Sequence, residues 1–478
     1  MDADYDRVWI DLDRCSVDAL DILSDGIPSA DAQRTGEFLE GFDIPGEEGF
    51  EDWLREQRRM LAERLEGLPA APARPAQRPE ASAESFRQKP SIAMLPTAAS
   101  AEDSALAEAA TRLSDEVVDR LSRVRWLSVV GPGTVVAIRN GLADRNTIGA
   151  AVGARYLLEL QLLRIGGRAT LAATLAESSS WRTILSQRAE LGPDVESSIA
   201  EAARDLVAAI DAQVETAEQD RVLQKPLQSL AGSELVWRAR WHLDRLTRAD
   251  AAVAEELINR VRAEAPEWAE ALIQAGFCRA WSIWTGRRSA GDIQQLRRLG
   301  LRAVAADRFD ARGHLLIGMA DTWLRRPDRA RLALEEAISL NPSLCQAYMQ
   351  LGSAHYLAGN PRAALAPMNT ALRLNPQDAQ IFCVLAERGM VHCMLAEWDR
   401  AVEFAELALL RKPGYWYAHI IKINALLRVG DLAAARRARA DLSSSSPAFS
   451  ESHIDWLPFV DNRWPQFLKE GLRQSEED

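Results

Sequence analysis

The side chains able to do chemistry are few and scattered. Five cysteines (Cys15, Cys278, Cys345, Cys383 and Cys393) have no CxxC spacing, and six histidines form neither an HExxH pair nor a Cys/His cluster. Neither a zinc site nor a disulfide framework is encoded. Cys383 and Cys393 read as small buried apolar groups, the usual fate of a free cysteine. Gly131-Pro132-Gly133 lacks the following Lys-Ser/Thr of a phosphate loop, and Gly166-Gly167 joins two alternating runs as a hairpin would. Asp2, Asp4, Asp6, Asp11 and Asp13 lack the glycine and closing glutamate of a calcium loop. The run Ser443–Ser446 sits before Pro447 as a polar turn, and no GxSxG elbow occurs. The residues therefore assign no catalytic, metal-binding or cofactor-binding role: the chain reads as no enzyme, with no cofactor.

The elements that must position whatever function remains are those of a large folded chain. Its 478 residues are 47% hydrophobic and 26% charged, which fits globular domains and excludes a disordered or fibrous chain. No run approaches the roughly 18 apolar residues of a membrane span, and the acidic start is unlike a basic signal peptide. These features point to a soluble cytoplasmic protein without membrane insertion. The first 66 residues hold 19 acidic against seven basic side chains, so they carry the whole net charge of −12. A body without a basic footprint is not expected to bind nucleic acid directly.

Composition divides the chain into an acidic segment 1–66, a Pro/Ala-rich linker 67–90, an α/β region 91–220, a helical repeat region 235–449 and a closing segment 450–478. Within 91–220 the pattern predicts strands at Ser91–Leu95, Leu127–Val130, Arg155–Arg164, Arg168–Ala176 and Thr183–Glu190. Helices are predicted at Ala101–Ser122, around Arg145–Val152 and from Pro193 to Ala217.

Beyond Leu235 the chain is periodic. Pro342, Pro376, Pro413 and Pro447 recur at intervals of 34, 37 and 34 residues, the tetratricopeptide length. Small residues recur on each first helix (Gly276, Gly318, Gly352, Ala386) and alanines on each second helix. Six repeats are predicted, at 235–268, 269–310, 311–344, 345–378, 379–415 and 416–449. The second has an insertion, Thr285–Asp292, expected as a loop between its helices. The groove of such an array is lined by first helices, which gives Phe277, Trp281, Arg312, Met319, Trp323, Gln346, Met349, Tyr356, Gln380, Glu387, Tyr417 and Asn424 as candidate protein-binding residues. Aromatic and Met side chains supply anchors, and Gln, Asn and Arg can bond an extended backbone.

Residues 36–64, with Gly36, Phe38, Leu39, Gly41, the acidic turn Asp43–Glu48 and then Phe50, Trp53, Leu54 and Arg58, resemble the bacterial transcriptional activator domain. That family carries a winged helix upstream, whereas seven residues precede Val8 here, and the resemblance ends at the linker, so the domain reads as truncated. SIAMLP (91–96), DEVVDRLSRVRWLSVV (115–130) and VGARYLLELQLLRIGGRATLAATL (152–175) resemble the TolB amino-terminal-type domain of bacterial regulators and adenylate cyclase accessory regions. Thr97 and Leu160 depart from its usual aromatic and glycine. In such regulators tetratricopeptide repeats and a closing helix after a Pro-Phe turn follow, as in LPFVDNRWPQFLKEGLRQS (457–475).

The fold class expected is mainly α with one α/β domain: a short helical head, a small α/β TolB-like domain and a C-terminal tetratricopeptide solenoid. The resemblances imply a non-catalytic regulatory adaptor in bacterial transcriptional regulation. Its expected partners are a protein or peptide in the groove, and RNA polymerase or a DNA-binding regulator at the head. Two alternatives stay open: a DNA-binding activator whose winged helix is missing from this chain, and a scaffold for signalling or envelope assembly.

Overall fold

The computed structural model describes residues 2–3, 8–9, 56–60, 86–99, 103–139, 148–286 and 288–476. The activator-like stretch 36–64, Trp53 included, lies outside the described residues except for a helical 56–60. Two compact units result, Met1–Phe86 with Leu223–Ala231, and Arg87–Val222 with Gly232–Asp478. In the first, β1 (Asp2–Ala3) pairs antiparallel with β2 (Val8–Trp9). The second holds the sheet and the helical repeats.

Its α/β part is a mixed sheet in the order β5-β3-β6-β7-β8, with β4 (Ala98–Ala99) pairing β6. The strands are β3 (Ser91–Met94), β5 (Ser128–Val130), β6 (Tyr156–Ile165), β7 (Arg168–Glu177) and β8 (Thr183–Glu190). Between the parallel strands β3 and β5 runs α1 (Ser104–Ser122), because a parallel pair needs a crossover. Leu106, Ala110, Leu113, Val117 and Leu121 recur at helical spacing on α1 and are all buried, and the Asp103 side chain caps its start by accepting from the Leu106 N–H at 3.1 Å. Two short helices, α2 (Pro132–Arg139) and α3 (Ile148–Val152), precede β6. The β6–β7 hairpin turns on Gly166 and Gly167, at φ +55° and +83°. Positive φ at both centres is the two-residue turn whose twist matches the strands, which glycine adopts without strain.

After β8 comes α4 (Val195–Leu223), 29 residues long. Leu206, Val207, Ala208 and Ile210 are all buried, so α4 is covered on more than one face and cannot be an ordinary amphipathic surface helix. On the sheet side, fully buried Glu218 accepts from the Tyr156 hydroxyl at 2.8 Å, from Arg155 at 2.5 Å and from Arg221 at 2.9 Å. On the other side, Ala208 joins the core of the helical region together with Cys345 and Met349.

That region is a tetratricopeptide-like solenoid of helix pairs: α5 (Ser233–Asp244) with α6 (Arg248–Glu264), α7 (Ala269–Gly286) with α8 (Ala290–Ala306), and α9 (Ala311–Trp323) with α10 (Pro327–Leu340). Three more pairs follow: α11 (Cys345–Leu357) with α12 (Pro361–Leu374), α13 (Ile381–Met394) with α14 (Trp398–Arg411), and α15 (Trp416–Val429) with α16 (Leu432–Ser445). Mainly helical with one small mixed sheet is the fold class the sequence led us to expect. Within pairs, a Cβ at Gly318 would lie 2.5 Å from Leu334, and one at Gly352 2.5 Å from Met368. Glycine is what lets the second-helix side chain seat there.

The turn inside five of the six pairs repeats a backbone requirement. Leu246, Arg325, Gly359, Ala396 and Gly430 all have positive φ, between +55° and +90°. Two glycines take this conformation freely, while three residues with side chains hold it under strain. The second repeat corrects one expectation. Its extra residues are absorbed by helix rather than by a loop, since α7 runs through Thr285 and Gly286 for 18 residues and α8 for 17, against 13 and 14 in the next pair. The chain closes with α17 (Glu451–Trp456) and α18 (Arg463–Gln474).

Two substitutions test these forces. Ala396→Gly relieves a left-handed residue and should stabilise the chain by about 0.5–1 kcal/mol, read as a higher urea midpoint at unchanged slope. Glu218→Ala strips the acceptor from two arginines and a tyrosine and should cost about 3 kcal/mol in the same measurement.

Candidate protein-binding groove

The first helices of successive pairs carry the residues expected to face a partner. Arg312, Met349, Tyr356, Tyr417 and Asn424 are buried; Phe277, Trp281, Met319, Trp323, Gln346 and Glu387 are half-buried; Gln380, at the start of α13, is exposed. Phe277, Met319 and Trp323 come together with Trp456 around one core cluster, whereas Met349, Tyr356 and Tyr417 belong to a second.

What covers several of them is the chain's own C-terminal segment. Leaving α16, the chain turns back along the solenoid, so that Trp456 meets Trp284 edge-on at 5.8 Å and Trp323 at 6.2 Å between ring centres. The Trp456 indole N–H donates to the Arg288 carbonyl at 3.1 Å. Next, Phe459 packs edge-on against Tyr356 at 5.8 Å. The Arg325 guanidinium donates to the carbonyls of Phe459 at 3.1 Å and Leu457 at 3.2 Å, and the Val460 N–H donates to the Leu357 carbonyl at 2.9 Å. Two aromatic anchors and three main-chain bonds therefore hold residues 456–460. Further on, the Asn424 amide donates to the Leu468 carbonyl at 3.2 Å, and a Cβ on Gly471 would stand 2.2 Å from Asn424.

Trp284, Arg325, Trp456 and Phe459 are the residues that frame-by-frame reading of the repeats missed. Trp284 lies near the end of the lengthened α7, and Arg325 in the strained turn after α9. The Trp-Leu-Pro-Phe phrase at 456–459 was the available signal.

Arg312 lies elsewhere, near Asp211 of α4. Arg312 binds Glu270 at 2.7 Å and Asp310 at 2.7 Å. Burial pushes the Glu270 carboxyl up, but Arg312 and Arg240 outweigh it and hold it at about 2. Arg240 pairs with Glu215 of α4 at 2.6 Å and lies over the rings of Trp237 and Trp126, at 4.6 and 5.4 Å. Farther along α4, Asp205 pairs with Arg373, and the Ser343 hydroxyl donates to the Arg204 carbonyl at 3.0 Å. A cleft of about 290 Å³ opens beside this network, where Arg125 faces Asp307, Arg312 faces Glu270, and Trp126, Trp237 and Trp268 form the apolar wall.

Several acids at these contacts hold their protons unusually well. Burial, reinforced by Glu215, pushes Asp211 of α4 up to about 7. Burial likewise pushes Glu387 up to about 7 against the hydrogen bonds it receives from Ser353, at 2.6 Å, and Tyr356. Cys278, Cys345 and Cys393 are buried and Cys383 half-buried, and burial raises all four thiols. Among the described residues no group of three His, Cys, Asp or Glu side chains is placed to hold a metal, and no helix is long and apolar enough to cross a membrane.

No family model matches the chain. A curated protein of Rhizobium meliloti (strain 1021), described as "Putative adenylate cyclase 3", is 25% identical over 249 residues, 51% of this chain. The chain spans 42% of that relative's length. Among solved structures, a thermophilic TPR protein of Thermus thermophilus shares 20% identity at a TM-score of 0.33, over 40% of this chain and 97% of that one. The Cut9–Hcn1 hetero-tetramer of the APC/C shares 15% at 0.41, over 59% and 49%. YrrB, described as a TPR protein with an unusual peptide-binding site, shares 14% at 0.29, over 45% and 97%.

The raised carboxyls set a pH dependence. Asp211 and Glu387 stay protonated in the folded chain up to about pH 7 but ionise near 4 when unfolded, so the folded state holds more protons between those values and stability falls as pH rises through that window. Glu387→Gln keeps an acceptor for Ser353 and removes the charge. It should raise the urea midpoint at about pH 8 and change it little at about pH 4; equal effects at both pH values would contradict the assignment.

Proposed function

We propose that the chain is a non-catalytic regulatory adaptor that holds protein partners on its solenoid, in the bacterial cytoplasm and within transcriptional control. The observation carrying this reading is that the solenoid already holds residues 456–460, the end of α17 and the turn after it, through two ring anchors and main-chain bonds, contacts of the kind by which a groove takes a peptide. The TolB-like resemblance of 91–190 and the activator-like resemblance of 36–64 supply the regulatory setting. In this reading the acidic head contacts RNA polymerase or a DNA-binding regulator, and 67–90 tethers it. A longer chain with an upstream winged helix would make the protein a DNA-binding activator.

A second reading, a signalling scaffold, is favoured by the similarity to the protein described as "Putative adenylate cyclase 3". In that role the sheet and solenoid form the docking part beside a partner's catalytic domain, with no catalysis of their own.

The test is to tag the chain in its native cell and identify what co-purifies, with and without residues 1–90. RNA polymerase or a DNA-binding regulator recovered only with the intact chain supports the transcriptional adaptor. Signalling proteins recovered equally by both forms support the scaffold, and recovery of no partner by either form defeats the adaptor reading.

A further inference from the structure

We propose that the cleft between the sheet and the first repeats is a binding site for a small planar aromatic anion, a carboxylate or phosphate carried on a ring system. The site is separate from the contacts at 456–460, and the inference stands whether or not the solenoid holds a protein partner.

The cleft, about 290 Å³, lies where the residues leading into β3 and those between α1 and β5 meet α5 and the turns before α7 and α9. Its wall is aromatic. Trp126 and Trp237 are buried and meet edge-on at 5.0 Å between ring centres, and half-buried Trp268 lines the cleft with them. Three indoles around one opening offer the flat apolar surface on which a planar ring system stacks.

The charges select the sign of the ligand. Four carboxylates line the cleft, and each is already paired with an arginine: Asp307 with Arg125 at 2.8 Å, Glu270 and Asp310 with Arg312 at 2.7 Å, and Glu267 with Arg302 at 2.6 Å. Arg240 stands a further 3.9 Å from Glu270. The cations at the mouth are not matched in this way. Lys89 and Arg87 are exposed there, and among the described residues neither has a carboxylate partner. The Lys89 ammonium donates to the Arg125 carbonyl at 2.6 Å, which leaves two of its three N–H groups for another acceptor. Partial burial and the neighbouring Arg125 push its pKa down against the pull of Glu270 and Asp307, so an anion beside it relieves a cost the charge already bears. The first residue of α7, Ala269, lines the same wall, and the positive end of that helix adds to the field. A neutral ring leaves both cations as they are, and an anion without a ring leaves the tryptophan wall in water. The cleft fits the two combined.

The experiment is a calorimetric titration of the full chain with indoleacetate, and with adenosine monophosphate as its phosphate counterpart. Indole, which keeps the ring without the charge, and acetate, which keeps the charge without the ring, are the controls. At least one of the two ring anions should bind about tenfold or more tightly than either control, and the tighter of the two identifies the charged group as carboxylate or phosphate. Lys89→Met should weaken that binding at least about tenfold. Because Lys89 is exposed ahead of β3, its replacement should leave the melting temperature in place, so the lost affinity reports the site and not the fold. Trp268→Ala should weaken binding by a similar factor. No heat from either ring anion at concentrations up to about 5 mM overturns the proposal. Indole binding as tightly as the ring anions overturns the anionic class, and unchanged affinity in Lys89→Met overturns the placement in this cleft.

Discussion

The architecture depends on one constraint: α4 has to be covered on both sides at once. Its sheet face is fixed by Glu218, a buried carboxylate with arginine and tyrosine donors around it, and its solenoid face by Ala208 in the core with Cys345. A charge buried as deeply as Glu218 is tolerable only with its partners in place, so Arg155, Tyr156 and Arg221 fix how the helix lies on the sheet. The ion pairs of Glu215 with Arg240 and Asp205 with Arg373 then fix where the repeats meet it. The sheet and the solenoid are in consequence one body, and α4 is the last helix of the first and an inner packing layer of the second.

The same constraint explains which candidate groove positions are already occupied. Arg312 is committed to Glu270 and Asp310 beside α4, and Tyr417 is enclosed in the core. On the other side, Trp284, Trp323, Arg325 and Tyr356 meet residues 456–460. A tetratricopeptide array usually exposes its first-helix face along its full length. Here that face is divided between an internal helix and a returning segment.

Much of this was legible as repetition. The interval of 34, 37 and 34 residues between prolines recurs as the interval between the left-handed turn residues Arg325, Gly359, Ala396 and Gly430, because both mark one backbone unit copied along the chain. The hairpin at Gly166-Gly167 was legible because two positive φ values demand that pair. The double burial of α4 was not, since a local pattern reports that a helix is apolar but not which distant surfaces will cover it. The lengthening of α7 and α8 into the insertion at 285–292 was hidden for a related reason. Its small and polar residues suit a loop, and Trp284 beside it packs on Trp456, which lies more than 170 residues away in sequence. The twelve groove positions followed from the repeat frame alone, which says nothing of a segment outside the repeats that folds back onto them.

The place of α4 in the chain also bears on synthesis. Its outer apolar face, around Ala208, is complete on the ribosome long before Cys345 exists, an interval of roughly 140 residues or about 7–30 s at ordinary elongation rates. Through that time the sheet can form and claim one side of the helix while the other stays bare. The nascent chain thus presents an unpaired greasy surface at a defined stage of translation, and the pace of elongation through the repeats, together with any chaperone waiting at the tunnel exit, governs how much of it is covered correctly.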